Sequence, residues 1–314
     1  MSDDEKQKKI LFNWQKIKNS IPPISKSNRW LLVFLLILLL IGANYYWPTK
    51  KNKLFDFSRV GTTVDHINLQ RADTIYQLVK NNNQWFIANK DNQPANQEAI
   101  DQLLATVATM NFDQPFSQNP DKQKSFQVDE SGWQLSLLSG EQKQLGLIVG
   151  KYGPSWPSSY VRLENSNDVY LVNSPLTQII EQSDWRDLTI IKATEGQIQR
   201  VEWAGKMIIE KKDNKWSFTT PANIIIDENK LQPVFTSLAN FLALDISAEK
   251  KESLSAKPKI LILKITTPEG LKELNFWSKD QDQYWVTRSD SDIVYIISKG
   301  LYVNIDQEIK NLKK

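Results

Sequence analysis

The chain has 314 residues, with 39 Lys and Arg against 36 Asp and Glu, one His and no Cys. The lack of Cys excludes disulfides, iron–sulfur clusters, thiolate zinc sites and Cys nucleophiles, and a single His excludes metal sites built from several imidazoles. Residues 1–29 hold seven basic and three acidic side chains, so the remainder is nearly neutral and no nucleic-acid partner is expected.

A run of twenty uncharged residues follows Arg29 and predicts a membrane-spanning helix. Twenty helical residues cover the ~30 Å hydrocarbon core of a bilayer, and residues 31–41 are continuously apolar. Aromatic residues suited to the headgroup level flank the run: Trp30, Tyr45, Tyr46 and Trp47. We assign residues 30–48 to a transmembrane signal anchor, and a cleaved signal peptide is the alternative.

Positive charge on the N-terminal side sets the expected topology. Charges close to the span balance, and Lys6, Lys8 and Lys9 add to the basic tail. The positive-inside rule then places residues 1–29 in the cytoplasm. The predicted location is therefore the bacterial inner membrane, with the folded domains on the periplasmic side.

The rest of the chain contains two related modules. Trp85 aligns with Trp216 at an offset of 131 residues. The same offset aligns two apolar stripes with the spacing of an amphipathic helix: Ile100, Leu103, Leu104, Val107 and Met110, then Leu231, Val234, Phe235, Leu238 and Phe241. Asn96 and Asp227 are placed to cap these two helices.

Alternation of apolar and polar residues predicts antiparallel strands around each helix. Hairpin turns are expected at residues 81–83 and 212–214. Strands are predicted after the helices at 133–138, 143–149, 160–163 and 169–172, then at 260–266, 271–277, 285–288 and 293–297. The offset falls to 125 in the last pair, and we place the missing residues in loop 151–159. The fold class is α+β, with tandem sheet-plus-helix modules at residues 56–192 and 196–314.

Three segments carry a resemblance to a known family. They read LIVGKYGPSWPSSYVRL, DVYLV and DWRDLTI, and with the strand and helix order they resemble the DUF4340 family, a domain of unknown function. The resemblance covers most of residues 60–300 and brings no catalytic residue set. Similar members accompany ABC-type exporters and GldG-like components of gliding systems. It therefore implies integral membrane partners, either an ABC-type permease or a GldG-like subunit.

Motifs typical of enzymes are incomplete in this chain. His66 follows Asp65, but neighbours in a strand point to opposite faces, so a Ser–His–Asp relay is not expected. Ser247 and Lys250 have S-x-x-K spacing, but no K-T-G follows. We predict a protein that is not an enzyme; a hydrolase that uses Ser and Lys, or two carboxylates, is an alternative.

Two acidic pairs begin like calcium-binding loops. Asp280 and Asp282 form one pair, and Asp290 and Asp292 form the other. Both lack the bidentate Glu expected at the twelfth place, so polar hairpin turns explain them better. We predict no metal site and no cofactor.

Trp156 is the best candidate for an exposed aromatic residue, and therefore for a binding residue. It lies between Pro154 and Pro157 in the loop that the second module lacks. The residues proposed to contact a ligand or partner are Lys151, Trp156, Tyr160 and Arg162. The predicted function is an accessory subunit of an ABC-type transport or gliding-like envelope complex, and a periplasmic protein that binds glycan or peptide is the alternative.

Overall fold

The computed structural model describes residues 63–312 except 223, together with residues 37, 38 and 57. The predicted tail, the interface aromatics and nearly all of the predicted anchor at residues 30–48 lie outside this set. Ile37 and Leu38 are helical and exposed. Among the residues described, no helix combines the length and the apolar composition needed to cross a membrane.

The first sheet is antiparallel and has eight strands. They are β1 (His66–Arg71), β2 (Thr74–Asn81), β3 (Gln84–Ile87), β4 (Gln93–Pro94), β5 (Trp133–Ser139), β6 (Gln142–Tyr152), β7 (Ser159–Leu163) and β8 (Val169–Val172). Their order across the sheet is β4-β3-β2-β1-β5-β6-β7-β8.

The second sheet is also antiparallel, with eight strands. They are β9 (Arg200–Trp203), β10 (Met207–Lys212), β11 (Lys215–Thr220), β12 (Asp245–Ile246), β13 (Leu261–Thr267), β14 (Gly270–Ser278), β15 (Gln283–Arg288) and β16 (Val294–Ser298). The order is β11-β10-β9-β13-β14-β15-β16-β12. Seven strands therefore follow the same path in both sheets, and only the short eighth strand joins a different edge.

The hairpin turns form where the sequence predicts them. Asn82 and Asn83 join β2 to β3, and Asp213 and Asn214 join β10 to β11; all four have positive φ. Two-residue turns with positive φ match the twist of antiparallel strands, and Asn and Asp tolerate this conformation better than most residues. Local chemistry thus fixes the same turn in both sheets.

Two helices cover one face of each sheet. They are α1 (Gln97–Thr109) with α3 (Leu176–Gln182) on the first, and α4 (Leu231–Ala239) with α6 (Lys299–Lys310) on the second. The predicted stripes are buried, apart from the partly buried Leu104. The Asn96 side chain accepts from the backbone N–H of Ala99, and Asp227 caps the short 3₁₀ turn before α4. Each fully buried Leu or Val contributes roughly 1.5–3 kcal/mol.

A smaller apolar cluster covers part of the opposite face of each sheet. In the first, Val128, Ile148, Tyr160 and Val169 pack with Phe126 of α2 (Gln123–Phe126). In the second, Trp277 and Val294 pack with Leu254 of α5 (Lys251–Leu254). The segment that follows α1 and the segment that follows α4 thus cross to the other side of their sheets.

The shift in repeat offset arises in more than one place, which corrects the expectation of a single loop. The loop between β6 and β7 is residues 153–158, and its counterpart between β14 and β15 is the shorter turn 279–282. The segment before β5 is residues 110–132, whereas the one before β13 is residues 240–260, which is also shorter.

A short segment, residues 184–190, links the two halves and is named the strap. Its first part pairs with the first half: Trp185 O accepts from the Asn96 N–H at 2.8 Å, and the Asp187 N–H donates to Pro94 O at 2.8 Å. Its second part pairs with the second half through Leu188, whose carbonyl accepts from Ala243 at 2.7 Å. Trp185 is fully buried.

The coarse fold prediction is confirmed: the described chain is α+β, with two antiparallel sheets and a few helices. One buried cluster runs from Phe57 to Trp185 and the other from Ile190 to Leu312. The module limits at 56–192 and 196–314 stay predictions; Ile190 and Ile191, which the first predicted module includes, pack in the second cluster.

Candidate binding surfaces

Trp156 is exposed and held in place by a hydrogen bond. Its side chain lies in the loop between β6 and β7 and is 80% exposed. Its indole Nε1–H donates to the Oε1 of Gln178 in α3, at 3.1 Å. A large aromatic ring thus faces solvent in one orientation, at the end of the first sheet.

The surface beside Trp156 continues along α3. Gln178 Nε2 donates to Gln182 Oε1 at 3.0 Å, and Tyr152, 44% exposed, lies beside Gln182 and Glu181. Partial burial raises the pKa of the Tyr152 phenol, and the Glu181 carboxylate raises it further. We name six residues the α3 surface: Arg71, Tyr152, Trp156, Gln178, Glu181 and Gln182.

Arg71 closes the far end of this surface. Its guanidinium donates to Glu181 Oε1 at 2.6 Å and lies 4.5 Å above the Trp133 ring. The cation–π contact and the ion pair both restrict the Arg71 side chain. The one full positive charge and the one full negative charge of the α3 surface therefore neutralise each other.

Two of the other predicted site residues lie against α2 instead. Tyr160 is buried, and its ring centroid is 4.7 Å from that of Phe126. Lys151 places its ammonium 5.9 Å from the Phe126 ring. Lys151 and Tyr160 therefore meet at Phe126, whereas Trp156 contacts α3. Neighbouring strand residues alternate between the two faces, so Lys151 and Tyr152 contact different helices. The binding roles given to these residues stay predictions.

Arg162, the fourth predicted site residue, binds backbone carbonyls. Its Nε donates to Val128 O at 2.8 Å, and one terminal nitrogen donates to the carbonyl oxygens of Leu163, Glu164 and Ser166 at 2.9–3.3 Å. Burial lowers the pKa of the guanidinium. The side chain thus ties the β7–β8 turn to the segment that covers the sheet.

Lys251 performs the matching task in the second half. Its ammonium donates to Arg288 O at 3.1 Å and to Ser291 O at 2.7 Å, in the turn between β15 and β16. That turn corresponds to the one bound by Arg162, but the cation comes from α5 rather than from the strand. The two halves therefore stabilise equivalent turns with side chains from different sequence positions.

The acidic pairs of the second half serve hairpin turns. Asp280 Oδ1 accepts from the backbone N–H groups of Asp282 and Gln283, and these contacts lower the pKa of the Asp280 carboxyl. Asp290 pairs with Lys272 and Arg288. Over the described part of the chain, no group of three or more His, Cys, Asp or Glu side chains is arranged to hold a metal ion.

His66 and Asp65 are in contact, contrary to the expectation from strand alternation. His66 Nδ1 lies 2.6 Å from Asp65 Oδ1. Asp65 precedes the first residue of β1, so strict alternation does not apply to the pair. The same carboxylate accepts from the Gly140 N–H at 2.8 Å; the His66 contact and this bond lower the pKa of Asp65. The pair thus anchors the β5–β6 turn.

Ser247 and Lys250 lie beside an open groove of about 550 Å³ between turn 91–93 and segment 246–252. The Ser247 hydroxyl accepts from the Glu249 backbone N–H at 3.1 Å. Lys250 is the N-cap of α5 and has extended backbone angles. The lysine therefore does not lie one helical turn beyond the serine, as an S-x-x-K mechanism requires.

Leu242 and Leu244 form an exposed apolar pair beside the strap. Each is 53% exposed, while Phe241 before them and Ala243 between them are buried. Thr189 of the strap forms a β-bridge with Leu242. Alternation along this extended segment directs both leucines to the same side. We name them the leucine pair.

An ion-pair group joins the strap to the second sheet next to the leucine pair. Arg186 donates to both carboxylate oxygens of Asp184, at 3.0 and 2.7 Å, and also to Asp245 of β12. The hydrogen bonds from Arg186 lower the pKa of Asp184. These ion pairs limit the movement of the strap at the place where residues of both halves lie on one surface.

Sequence reasoning missed most of these surface residues. Tyr152 lies in the quoted loop motif, but no sequence signal places it beside α3. The leucine pair follows the predicted stripe of α4, which ends at Phe241, the residue aligned with Met110. Its sequence signal is two leucines at alternate positions, and alternation alone does not show which side is exposed.

The described residues thus define an α+β protein that repeats one sheet topology and exposes polar and apolar side chains beside α3 and the strap. The family model for DUF4340, a domain of unknown function, matches residues 85–260, more than half of the chain, so the protein belongs to the DUF4340 family. Searches of curated proteins and of solved structures returned no match.

Proposed function

We propose that this DUF4340 protein is a non-enzymatic, single-pass membrane protein that docks an integral membrane partner outside the cytoplasm. It would act as an accessory subunit of an ABC-type transport or gliding-like envelope complex, with the permease or a GldG-like subunit as partner. The uncharged run at residues 30–48, the basic tail and the family resemblance support this proposal.

The observation that carries the proposal is the leucine pair beside the strap. Two large apolar side chains, each 53% exposed, lie where the strap meets the second sheet. Interface centres are more apolar than the rest of a protein surface, and their rims are polar. Arg186 and Asp245 supply polar groups next to the pair. This surface therefore has the composition of a docking site.

Co-purification from mild detergent tests this function. The double variant Leu242→Ser/Leu244→Ser should recover much less of the membrane partner, because the two leucines, each 53% exposed, have about half of their apolar surface left to bury, which is worth roughly 1.5–3 kcal/mol together. Leu271→Ser is the matched control, since Leu271 is 56% exposed and lies on β14. Equal recovery of the partner with all three proteins would contradict the docking site.

Protease treatment of intact spheroplasts tests the topology. Residues beyond the anchor should be cleaved without breaking the inner membrane. Complete protection, together with recovery of the folded part in the soluble fraction, would refute the proposed location.

A second candidate function is an envelope protein that binds a glycan or peptide. It is favoured by Trp156, whose exposed ring is held by Gln178. Trp156→Ala should weaken ligand binding at least about tenfold and leave the melting temperature unchanged, because this side chain buries little surface.

A further inference from the structure

We propose that the α3 surface binds an uncharged glycan chain, an inference that rests on the second candidate function. Two exposed aromatic rings, two amide side chains and one internal ion pair form a connected set of contacts along α3. Each part of this set matches one chemical feature of a sugar polymer.

The aromatic rings supply the apolar contact. The C–H groups on one face of a pyranose ring pack against the π face of Trp or Tyr, because aromatic faces carry partial negative charge. Trp156 and Tyr152 are both exposed; the indole of Trp156 is fixed by its hydrogen bond to Gln178, and the phenol of Tyr152 lies beside Glu181 and Gln182. Rings that are fixed before binding lose little conformational entropy when a ligand arrives.

The amides supply directional hydrogen bonds. Each side-chain amide has two N–H donors and an oxygen with two lone pairs. Gln178 uses its oxygen for Trp156 and one N–H for Gln182, which leaves donor and acceptor capacity on both residues. Sugar hydroxyls both donate and accept, so they match amides better than purely cationic or anionic groups do.

The charge balance favours an uncharged ligand. Arg71 and Glu181 pair at 2.6 Å and neutralise each other. An acidic or a basic ligand would have to break that ion pair to gain a charge partner. A neutral hydroxyl-rich ligand can accept from Arg71 or donate to Glu181 while the pair stays intact.

The second half of the chain offers an internal comparison. Its shorter turn, residues 279–282, carries Lys, Asp, Gln and Asp in place of the Trp156 loop. The Lys279 ammonium bonds Gln283 there, and the turn presents no aromatic ring. The proposed glycan contact is thus specific to the first half, and the equivalent turn serves as a control.

Isothermal titration calorimetry of the full chain in detergent against neutral hexasaccharides tests the inference. The panel contains cellohexaose, maltohexaose and chitohexaose, and neutral hexapeptides are titrated in parallel. At least one hexasaccharide should bind with Kd of about 0.1–1 mM. Trp156→Ala should weaken that binding at least about tenfold, and Trp156→Phe should recover most of it. The control Lys279→Ala, in the equivalent turn, should leave binding unchanged.

Three outcomes would overturn the inference. If no hexasaccharide binds below about 1 mM, the α3 surface is not a glycan site. Equal loss of binding with Trp156→Ala and Lys279→Ala would remove the assignment to this surface. Peptide binding that depends on Trp156, without sugar binding, would reject the glycan but keep the second candidate function. Far-ultraviolet circular dichroism and the melting temperature verify that each variant is folded.

Discussion

Replacement of Arg162 by Leu should destabilise the folded part rather than alter a binding surface. The side chain donates one hydrogen bond to Val128 and three to the carbonyls of the β7–β8 turn. Val128 is fully buried, so its carbonyl would lose this partner without full access to water. The turn carbonyls lie nearer the surface, where water can replace part of the lost interaction.

The expected magnitude follows from these contacts. An unsatisfied buried acceptor costs about 1–3 kcal/mol, and a hydrogen bond to a charged donor contributes about 1.5–3 kcal/mol when it is shielded from water. The released guanidinium regains hydration, which offsets part of the loss. We therefore expect the free energy of unfolding to fall by about 2–3 kcal/mol. For a folded part the size of residues 63–312, this corresponds to a drop of about 5–10 °C in melting temperature.

Urea unfolding followed by circular dichroism measures this effect. Lys143→Leu is the control for lost charge, because Lys143 pairs with Glu164 at 2.8 Å with both side chains about half exposed, and such pairs contribute about 0–1 kcal/mol. A loss below about 0.5 kcal/mol for Arg162→Leu would refute the role as a tie between the turn and the covering segment.

Three further predictions concern the strap and a turn. A double-mutant cycle with Arg186→Leu and Asp245→Asn should give a coupling energy of about 0.5–1 kcal/mol in urea unfolding; a value near zero would show that the pair does not hold the strap. Because Arg186 lowers the pKa of Asp184, the stability that this carboxylate provides is complete above about pH 4 and is lost as the pH falls through its folded-state pKa. The stability difference between wild type and Asp184→Asn should therefore become smaller as the pH is lowered. A difference that stays constant would contradict this role of the Asp184 carboxylate. Ala72 has φ of 48°, a conformation that strains a residue with a Cβ, so Ala72→Gly should stabilise the fold by about 0.5 kcal/mol. The control Ala105→Gly, inside α1, should destabilise it by about 0.5–1 kcal/mol. Shifts of the same sign for both variants in thermal melts would refute backbone strain at Ala72.

Family membership and the coarse fold could be predicted from the sequence because they depend on local patterns. The stripes of α1 and α4 reflect burial on one helix face, and the turns at Asn82 and Asp213 reflect positive φ. Both signals lie within a few residues of the feature they predict. The repeat is visible for the same reason, since two copies of a local pattern align directly.

The candidate surfaces could not be predicted as well from the sequence, because their contacts join residues that are far apart in the chain. Arg71 meets Glu181 across 110 residues, and Gln178 meets Trp156 across 22. Strand order and register decide which side chains face each other, and a shift by one residue reverses the face. Lys151 and Tyr152 are neighbours in sequence, yet they contact different helices.

The sequence alone determined the α+β class, the repeated strand and helix pattern, the helix caps and the exposed character of Trp156. Only the tertiary structure decided that Arg162 binds carbonyls, that Lys251 replaces it in the second half, and that the strap joins the two halves. The physical reason is that periodicity reports the burial of each residue. The identity of its neighbour depends on how whole strands and helices pack.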